Sequence, residues 1–303
     1  MTRRRAGPHH GRTRRTPSSP KDGSMTNLGP APSTGSPLVA SGLTKVYGTD
    51  HTATHALAGV SLTVSPGESV AIMGPSGSGK TTLLHCLAGI VKPTSGTVSW
   101  RGEDLTTLSE GRRTALRRQD FGFVFQSGQL LPELPAVENA ALPLMLAGTP
   151  RAEATQVAAA WLAHLGLAGM EQRRPGELSG GQAQRVAIAR ALVGSPGVGF
   201  ADEPTGALDQ GTGAEVLSVL TAAVQASGAA LVIVTHDAGV ARYCSRTVTM
   251  RDGRISGEFH AAPARQASPQ AQVPEGATRA AMAAHPANGA PAAQHDPTQG
   301  AAR

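Results

Sequence analysis

Residues 74–81, Gly-Pro-Ser-Gly-Ser-Gly-Lys-Thr, match the G-x-x-x-x-G-K-[ST] pattern of a phosphate-binding loop. Just before them, Ser69–Met73 is a short apolar run that predicts a buried strand, and just after them residues 82–88 predict a helix. A strand, a glycine-rich loop and a helix in this order are the context that the pattern requires. The stretch therefore predicts a nucleoside triphosphate site. A glycine-rich turn that binds nothing is the alternative.

The residue types in this loop suit the binding of phosphate. Gly74, Gly77 and Gly79 allow the backbone to curl so that successive N–H groups point at phosphate oxygens. The helix N-terminus adds roughly half a positive charge at the same place. Lys80 can reach the β- and γ-phosphates of ATP, and the Thr81 hydroxyl can take one position on Mg²⁺. The predicted nucleotide contacts of this segment are Gly74, Pro75, Ser76, Gly77, Ser78, Gly79, Lys80, Thr81 and Thr82.

A pair of acidic residues follows a second apolar run. Residues 198–201 predict a buried strand, and Asp202 and Glu203 come at its end. Because a buried charge without a partner is costly, this pair predicts a cation. Asp202 is expected to hold Mg²⁺ directly or through water, and Glu203 is expected to orient or deprotonate the attacking water. A solvated strand end is the alternative, and Gly199 would weaken the interior of the strand.

Residues 178–182, Leu-Ser-Gly-Gly-Gln, resemble the signature sequence of the ATP-binding-cassette (ABC) ATPases, and residues 185–192 continue it as a helix. Ser179 and the N–H groups of Gly180 and Gly181 can cap a γ-phosphate at this helix N-terminus. In that family the phosphate belongs to ATP on the opposite subunit. The resemblance therefore implies a homodimer, or a pair with a homologous ATPase, around two ATP molecules. The residues implied are Ser179, Gly180, Gly181 and Gln182.

Four other positions resemble functional residues of the same family. Tyr47 resembles the aromatic that stacks on adenine, although it would also suit an ordinary edge strand. Gln126 resembles the glutamine that touches Mg²⁺ and the lytic water. Asp209 lies in a loop similar to the one that passes between subunits, and His236 resembles the histidine that contacts the γ-phosphate. The resemblance thus implies Glu203, His236 and Gln126 as catalytic residues, and Thr81, Gln126 and Asp202 as metal ligands. Ser245 departs from the family, which usually has an acidic residue there.

Motifs that are less specific than those of the family indicate a subgroup within it. Residues 121–126, 130–134, 137–139 and 174–178 are similar to the lipoprotein-release and macrolide-export type. The resemblance implies a separate membrane permease with few spanning helices and a large extracytoplasmic domain. Division-linked relatives of this type regulate cell-wall hydrolases instead of moving a substrate. The ATPase of a binding-protein-dependent importer is one alternative, and a soluble ABC ATPase that acts in DNA repair, chromosome organisation or ribosome work is the other.

The positive charge is confined to the N-terminal segment. The chain has 303 residues and a formal net charge of +6, and residues 1–24 contain seven Lys or Arg against one acid. The remainder is balanced, so no nucleic-acid groove is expected. The basic segment could be attracted weakly to an anionic membrane, or translation could begin at Met25. Residues 261–303, rich in Ala, Pro and Gln, predict a disordered tail.

The hydropathy and the cysteine content of the sequence limit where in the cell the protein is expected. No stretch approaches the ~18 apolar residues of a spanning helix, and no apolar region follows the N-terminal arginines. We therefore expect a peripheral protein at the cytoplasmic face of the membrane. Cys86 and Cys244 have no metal-ligand spacing and are not expected to form a disulfide.

The order of elements predicts an α/β protein with the P-loop NTPase fold. Strand-like runs at residues 62–64, 69–73, 122–125, 198–202, 231–235 and 247–251 alternate with helices. The expected architecture is a mostly parallel core sheet with an antiparallel β part and a helical subdomain. Residues 136–146, 151–165 and 180–192 predict helices in that subdomain, at about 127–193, and residues 251–254 predict a hairpin turn. The predicted ATP-binding domain spans 38–258, between disordered segments 1–37 and 259–303. By the resemblance, a groove beside Gln126 receives a short helix of the permease.

Overall fold

The computed structural model describes residues 36–260, so the predictions for the two terminal segments lie almost entirely outside the described residues. The last strand continues to His260, two residues past the predicted domain end. The strands are β1 (Leu38–Tyr47), β2 (Thr54–Val64), β3 (Ser69–Met73), β4 (Ser95–Trp100), β5 (Glu103–Asp104), β6 (Phe121–Phe125), β7 (Val198–Asp202), β8 (Ala230–Thr235), β9 (Arg246–Arg251) and β10 (Arg254–His260). The helices are α1 (Lys80–Leu87), α2 (Glu110–Asp120), α3 (Ala136–Leu146), α4 (Arg151–His164), α5 (Gly180–Leu192), α6 (Gln210–Ser227) and α7 (Ala238–Ala241).

The larger sheet is mostly parallel, as predicted. Its strand order is β10-β9-β3-β8-β7-β6, and every neighbouring pair is parallel except β10 and β9. All six residues of β8 are buried, which is typical of a central strand covered on both faces. Because β3, β6, β7 and β8 run in the same direction, the segments that follow them meet at one edge of the sheet. In open α/β sheets this edge is where ligands bind.

The smaller sheet is antiparallel, with the order β2-β1-β4-β5. The sequence predicted an antiparallel part but located only residues 62–64 of it. The pairing of β1 with β2 shifts register at three places, after Ala40, Leu43 and Lys45. Such irregularities break the alternation of apolar and polar residues by which a strand is recognised in a sequence.

The three helices predicted for the helical subdomain are present. α3 and α5 have the predicted bounds, and α4 ends one residue earlier than expected. Trp161 and Leu162, predicted to lie on the packed side of α4, are fully buried in a core that α3 and α5 share. The apolar periodicity of these segments therefore identified the helices correctly.

Two glycines face each other where β6 pairs with β7. Gly122 and Gly199 are register partners, and both are buried. A Cβ atom on Gly122 would lie 2.3 Å from the carbonyl oxygen of Ala191 in α5, so this strand and helix require a glycine. A Cβ atom on Gly199 would meet nothing closer than 3.5 Å. The packing of this strand therefore does not require a glycine at position 199, and the weakening of the strand by Gly199 stays a prediction.

Both cysteines are core residues. Cys86 and Cys244 are free and buried. Burial raises the pKa of the Cys86 thiol to about 11 and that of the Cys244 thiol to about 12. Because the thiolate is the reactive form, these side chains are inert packing residues at neutral pH.

Candidate active site

The strand ends of the larger sheet are level with one another. Met73 pairs with Thr235, Val234 pairs with Asp202, and Asp202 pairs with Phe125. The segments that follow these strands therefore start side by side, and they carry the phosphate-loop motif, Glu203, His236 and Gln126. The topology thus brings together residues that are far apart in the sequence.

The phosphate loop connects β3 to α1 and needs glycine for two different reasons. A Cβ atom on Gly74 would lie 2.3 Å from the carbonyl oxygen of Met250, and one on Gly79 would lie 2.2 Å from that of Ala56. Gly77 has open space around it, but its φ is +78°, which favours glycine. The backbone thus adopts the curled form that the sequence predicted.

The loop is supported from behind by the hairpin turn between β9 and β10. Asp252 and Gly253 both have positive φ, +50° and +72°, as the predicted Asp-Gly turn requires. The N–H of Gly253 donates to the carbonyl oxygen of Ser78 at 3.1 Å, and its carbonyl accepts from Ala58 N–H at 2.9 Å. The phosphate loop, the hairpin turn and β2 are therefore joined by backbone hydrogen bonds.

Lys80 is the first residue of α1, and its ammonium group lies within the arc of the loop. The residue is only 8% exposed. Its Nζ donates to the carbonyl oxygens of Gly74 and Pro75, both at 2.9 Å. Neutral carbonyls compensate a buried positive charge only in part, so this position favours an anion.

Thr81 and Asp202 face each other between α1 and the end of β7. The Thr81 hydroxyl donates to Asp202 Oδ1 at 3.4 Å. Burial raises the pKa of Asp202, and this effect exceeds that of the Thr81 hydrogen bond, which lowers it. A carboxylate that pays this desolvation cost is suited to a cation. Gln126, at the end of β6, lies against the segment after Glu203, since a Cβ atom on Gly206 would be 2.8 Å from its Nε2 atom.

These residues fit a magnesium ion by their chemistry. Hydroxyl, carboxylate and side-chain amide oxygens are the hard donors that Mg²⁺ prefers, and the ion commonly takes its remaining ligands from phosphate and water. Within residues 36–260 no group of three His, Cys, Asp or Glu side chains could hold a metal by itself. The oxygens that Thr81, Asp202 and Gln126 offer are of the types that suit Mg²⁺.

Glu203 has an unusual backbone and two side-chain partners. Its φ is +46°, and its N–H donates to the carbonyl oxygen of Val234 at 2.9 Å. Nδ1 of His236 lies 2.8 Å from Oε1, and the Thr235 hydroxyl donates to Oε2 at 3.3 Å. Non-glycine residues rarely adopt positive φ, and those that do cluster at functional sites. Glu203 and His236 were named as site residues from the sequence, whereas Thr235, which the structure places beside them, was not.

The signature motif forms the start of α5 and packs beside the loop that contains Asp209. Ser179 and Gln182 form a capping box: Ser179 Oγ accepts from Gln182 N–H at 3.3 Å, and Gln182 Oε1 accepts from Ser179 N–H at 2.9 Å. A Cβ atom on Gly181 would lie 2.4 Å from Cγ2 of Thr212. Within residues 36–260 no hydrogen bond joins this motif to the phosphate loop.

Asp209 is the N-cap of α6. Its Oδ1 accepts from the N–H of Thr212 at 3.0 Å, and this hydrogen bond holds the pKa of the carboxyl below its usual range. Tyr47, at the end of β1, is exposed, and the ammonium group of Lys45 lies 5.0 Å from its ring centroid. Within the described range neither side chain forms a hydrogen bond with the residues at the strand ends.

Ser245, the departure from the family pattern, has a structural role. Its hydroxyl donates to the carbonyl oxygen of Ser69 at 2.8 Å, and its N–H donates to Ser69 Oγ at 2.9 Å. These bonds join the segment before β9 to the start of β3. Ser69 begins β3, whereas the phosphate loop follows the other end of that strand.

A groove of about 590 Å³ lies beside β6 and the loop that follows it. Its apolar lining includes Phe123 and Phe125, and its charged lining includes Arg117, Arg118 and Arg190. Arg190, on α5, donates to the carbonyl oxygens of Gly128 and Gln129 at 2.6 and 2.7 Å. α5 therefore holds the loop that begins at Gln126.

Within residues 36–260 no helix is long and apolar enough to span a membrane.

Comparison with known proteins places this arrangement in a family. The family described as ABC transporter matches residues 57–206. The lipoprotein-releasing system ATP-binding protein LolD of Geobacter metallireducens is 48% identical over 213 residues, which cover 70% of this chain and 95% of that protein. The macrolide export ATP-binding/permease protein MacB of Hyphomonas neptunium is 46% identical over 213 residues, which cover 70% of this chain but 33% of that protein.

A solved structure agrees with the sequence matches. The ATP-binding cassette MJ0796, in a dimeric post-hydrolysis state bound to ADP and Pi, is similar with a TM-score of 0.67 and 38% identity. The similarity covers 74% of this chain and 98% of that one. The predicted fold is thereby confirmed. The chain belongs to the ABC transporter family of ATPases, among the ATP-binding subunits of the lipoprotein-release and macrolide-export type.

Proposed function

We propose that this chain hydrolyses ATP between two ATPase subunits and thereby drives a separate membrane permease of the export, lipoprotein-release or mechanotransmission type. The observation that carries the proposal is the meeting of Lys80, Asp202, Glu203 and His236 at the level ends of three parallel strands. The relatives named for lipoprotein release and macrolide export support this type over an importer. Their names also disfavour a soluble ABC ATPase that acts without a membrane partner.

The phosphates would bind in the curled loop, where Lys80 and the N-terminus of α1 supply positive charge. Thr81, Asp202 and Gln126 would hold Mg²⁺, which when bound neutralises charge on the phosphoryl group during transfer. Tyr47 would stack on adenine. Because the donors are fixed before ATP arrives, little reorganisation is needed during the reaction.

Glu203 would act as the general base. Its carboxylate takes a proton from the water that attacks the γ-phosphorus, and ADP leaves as the new bond between phosphorus and oxygen forms. The side chain of His236 is 69% exposed, so it is free to turn from Glu203 toward the γ-phosphate. Asp202 would have a different role, as a ligand of the metal.

The other half of each site would come from a second subunit. The motif of Ser179, Gly180, Gly181 and Gln182 forms the N-terminus of α5, where the N–H groups of Gly180 and Gly181 suit a γ-phosphate. Asp209 lies in the loop packed against this motif, so it would cross the interface with it. A dimer that closes around ATP and reopens after hydrolysis would convert the chemistry into motion.

The groove beside β6 would receive the permease and place the protein at the cytoplasmic face of the membrane. Its aromatic lining and its arginines fit a short amphipathic helix with one apolar face and an acidic residue at its edge. Since Arg190 binds the loop that begins at Gln126, movement of that loop would be transmitted to the groove. The active site and the membrane partner would be coupled through α5.

The variant Glu203→Gln tests this function in two measurements. It should bind ATP, form a stable dimer and lose steady-state hydrolysis, because the amide cannot accept the proton. Used with ATP as bait in detergent-solubilised membranes, it should retain a partner with few spanning helices and a large outer domain. Glu153→Gln is the control, since Glu153 is an exposed residue on α4.

Several results would contradict the proposal. Undiminished hydrolysis by Glu203→Gln would remove Glu203 as the base. A many-helix permease in the retained fraction would indicate an importer. Retention of no membrane protein would favour the soluble class.

A further inference from the structure

The two oxygens of the Glu203 carboxylate are contacted by two consecutive residues that differ in exposure to solvent. Oε1 is contacted by His236, whose side chain is largely exposed. Oε2 is contacted by Thr235, which is only 1% exposed. One contact is therefore fixed by the core, and the other can be released.

Thr235 owes its fixed position to the sheet. It is the last residue of β8, a central strand between β3 and β7, and it pairs with Met73 of β3. Its branched side chain has few rotamers, and burial restricts them further. The hydroxyl is thus aimed at the start of the Glu203 segment by the core of the protein.

The direction of the Thr235 hydrogen bond is determined by a third group. Thr235 Oγ1 accepts from the N–H of Asp237 at 3.0 Å. A hydroxyl has one hydrogen, which remains available for a second partner. That partner is Oε2 of Glu203, at 3.3 Å. This distance is long for a hydrogen bond from a hydroxyl group, so the two oxygens can move closer together. Thr235 therefore donates to Oε2.

We propose that Thr235 is a positioning residue that holds Oε2 of Glu203, so that Oε1 is the atom that receives the proton. The inference rests on the proposed role of Glu203 as the base. When His236 turns to the γ-phosphate, Oε1 becomes free while Oε2 stays anchored. An O–H bond of the attacking water breaks, its proton passes to Oε1, and its oxygen bonds to phosphorus as ADP leaves.

The test is the pair Thr235→Val and Thr235→Ser in the full chain with ATP and Mg²⁺. Valine keeps the shape and removes the hydrogen bond, so kcat should fall about tenfold while KM for ATP changes little. Serine keeps the hydroxyl and should restore most of the loss. Thr249→Val is the matched control, because Thr249 pairs with the other side of Met73 but its hydroxyl contacts Gly257 and Ser256.

A second measurement separates positioning from misfolding. Thr235→Val combined with Glu203→Gln should still form the ATP-dependent dimer, since neither binding nor folding depends on this hydrogen bond. Wild-type kcat in Thr235→Val, an equal loss in the serine variant, or failure of the combined variant to dimerise would each overturn the inference. If Glu203→Gln by itself hydrolyses ATP normally, the proposed base is wrong and the inference is overturned with it.

Discussion

Lys80 shows at the scale of one residue how the site is prepared for an anion. Its ammonium group is nearly buried and bonded to two loop carbonyls. Phosphate oxygens would give stronger, charge-assisted hydrogen bonds to the same group. The residue is thus placed for binding before the nucleotide arrives.

We expect Lys80→Ala to weaken ATP binding at least about tenfold, because it removes one charge-assisted contact. Isothermal titration calorimetry would measure the dissociation constant. Lys92→Ala is the control, since Lys92 is exposed and lies outside the loop. An unchanged dissociation constant in Lys80→Ala would contradict the assigned role of this loop.

The residues of the site differ in how well the sequence revealed them. Lys80 and Glu203 could be proposed as site residues because each stands in a short local pattern with a known chemical use. Thr235 could not, since a threonine at the end of a buried apolar run is an ordinary strand residue. Its contact with Glu203 joins positions 32 residues apart and exists only in the folded sheet.

At the scale of elements, apolar periodicity located the helices of the helical subdomain but not all of the fold. β1 escaped prediction because its register shifts interrupt the alternating pattern. α6 was also missed, although Asp209 as its N-cap and Gly228 as its C-cap, with φ +71°, are signals that the sequence offered. A search for capping residues would have located this helix, whereas the search for apolar periodicity did not.

The glycine pair of β6 and β7 gives a prediction at this scale. Gly122→Ala should lower the free energy of unfolding by about 1–3 kcal/mol or more, because its Cβ atom would press against the Ala191 carbonyl in α5. Gly199→Ala should be close to neutral, within about 1 kcal/mol, since its Cβ atom has room. Urea unfolding of both variants compares them, and equal losses would contradict the packing described here.

At the scale of the whole molecule, the chain carries two halves of an ATP site, and each half packs against different segments of the fold. The phosphate loop meets the strand ends, whereas the signature motif packs on the loop of Asp209 and the start of α6. Composition and periodicity gave no indication of this division. The expectation of a dimer came from the resemblance alone, because a single chain contains no contact that would reveal it.

Mixing two defective chains tests whether the halves combine. In a Glu203→Gln background, Lys80→Ala and Ser179→Arg should each fail to dimerise with ATP. An equimolar mixture should dimerise, since one of its two sites then has an intact loop and an intact signature. Size-exclusion chromatography with light scattering would measure the mass. A mixture that stays monomeric would contradict the shared site.

The hairpin turn behind the phosphate loop determines when, during synthesis of the chain, the ATP site can form. The loop ends at residue 81, but the backbone that supports it includes Gly253, near the end of the described range. A chain emerging from the ribosome has exposed the whole nucleotide motif long before this support is made. The loop acquires its full backing only when almost the entire domain has been synthesised, so readiness for ATP coincides with completion of the fold.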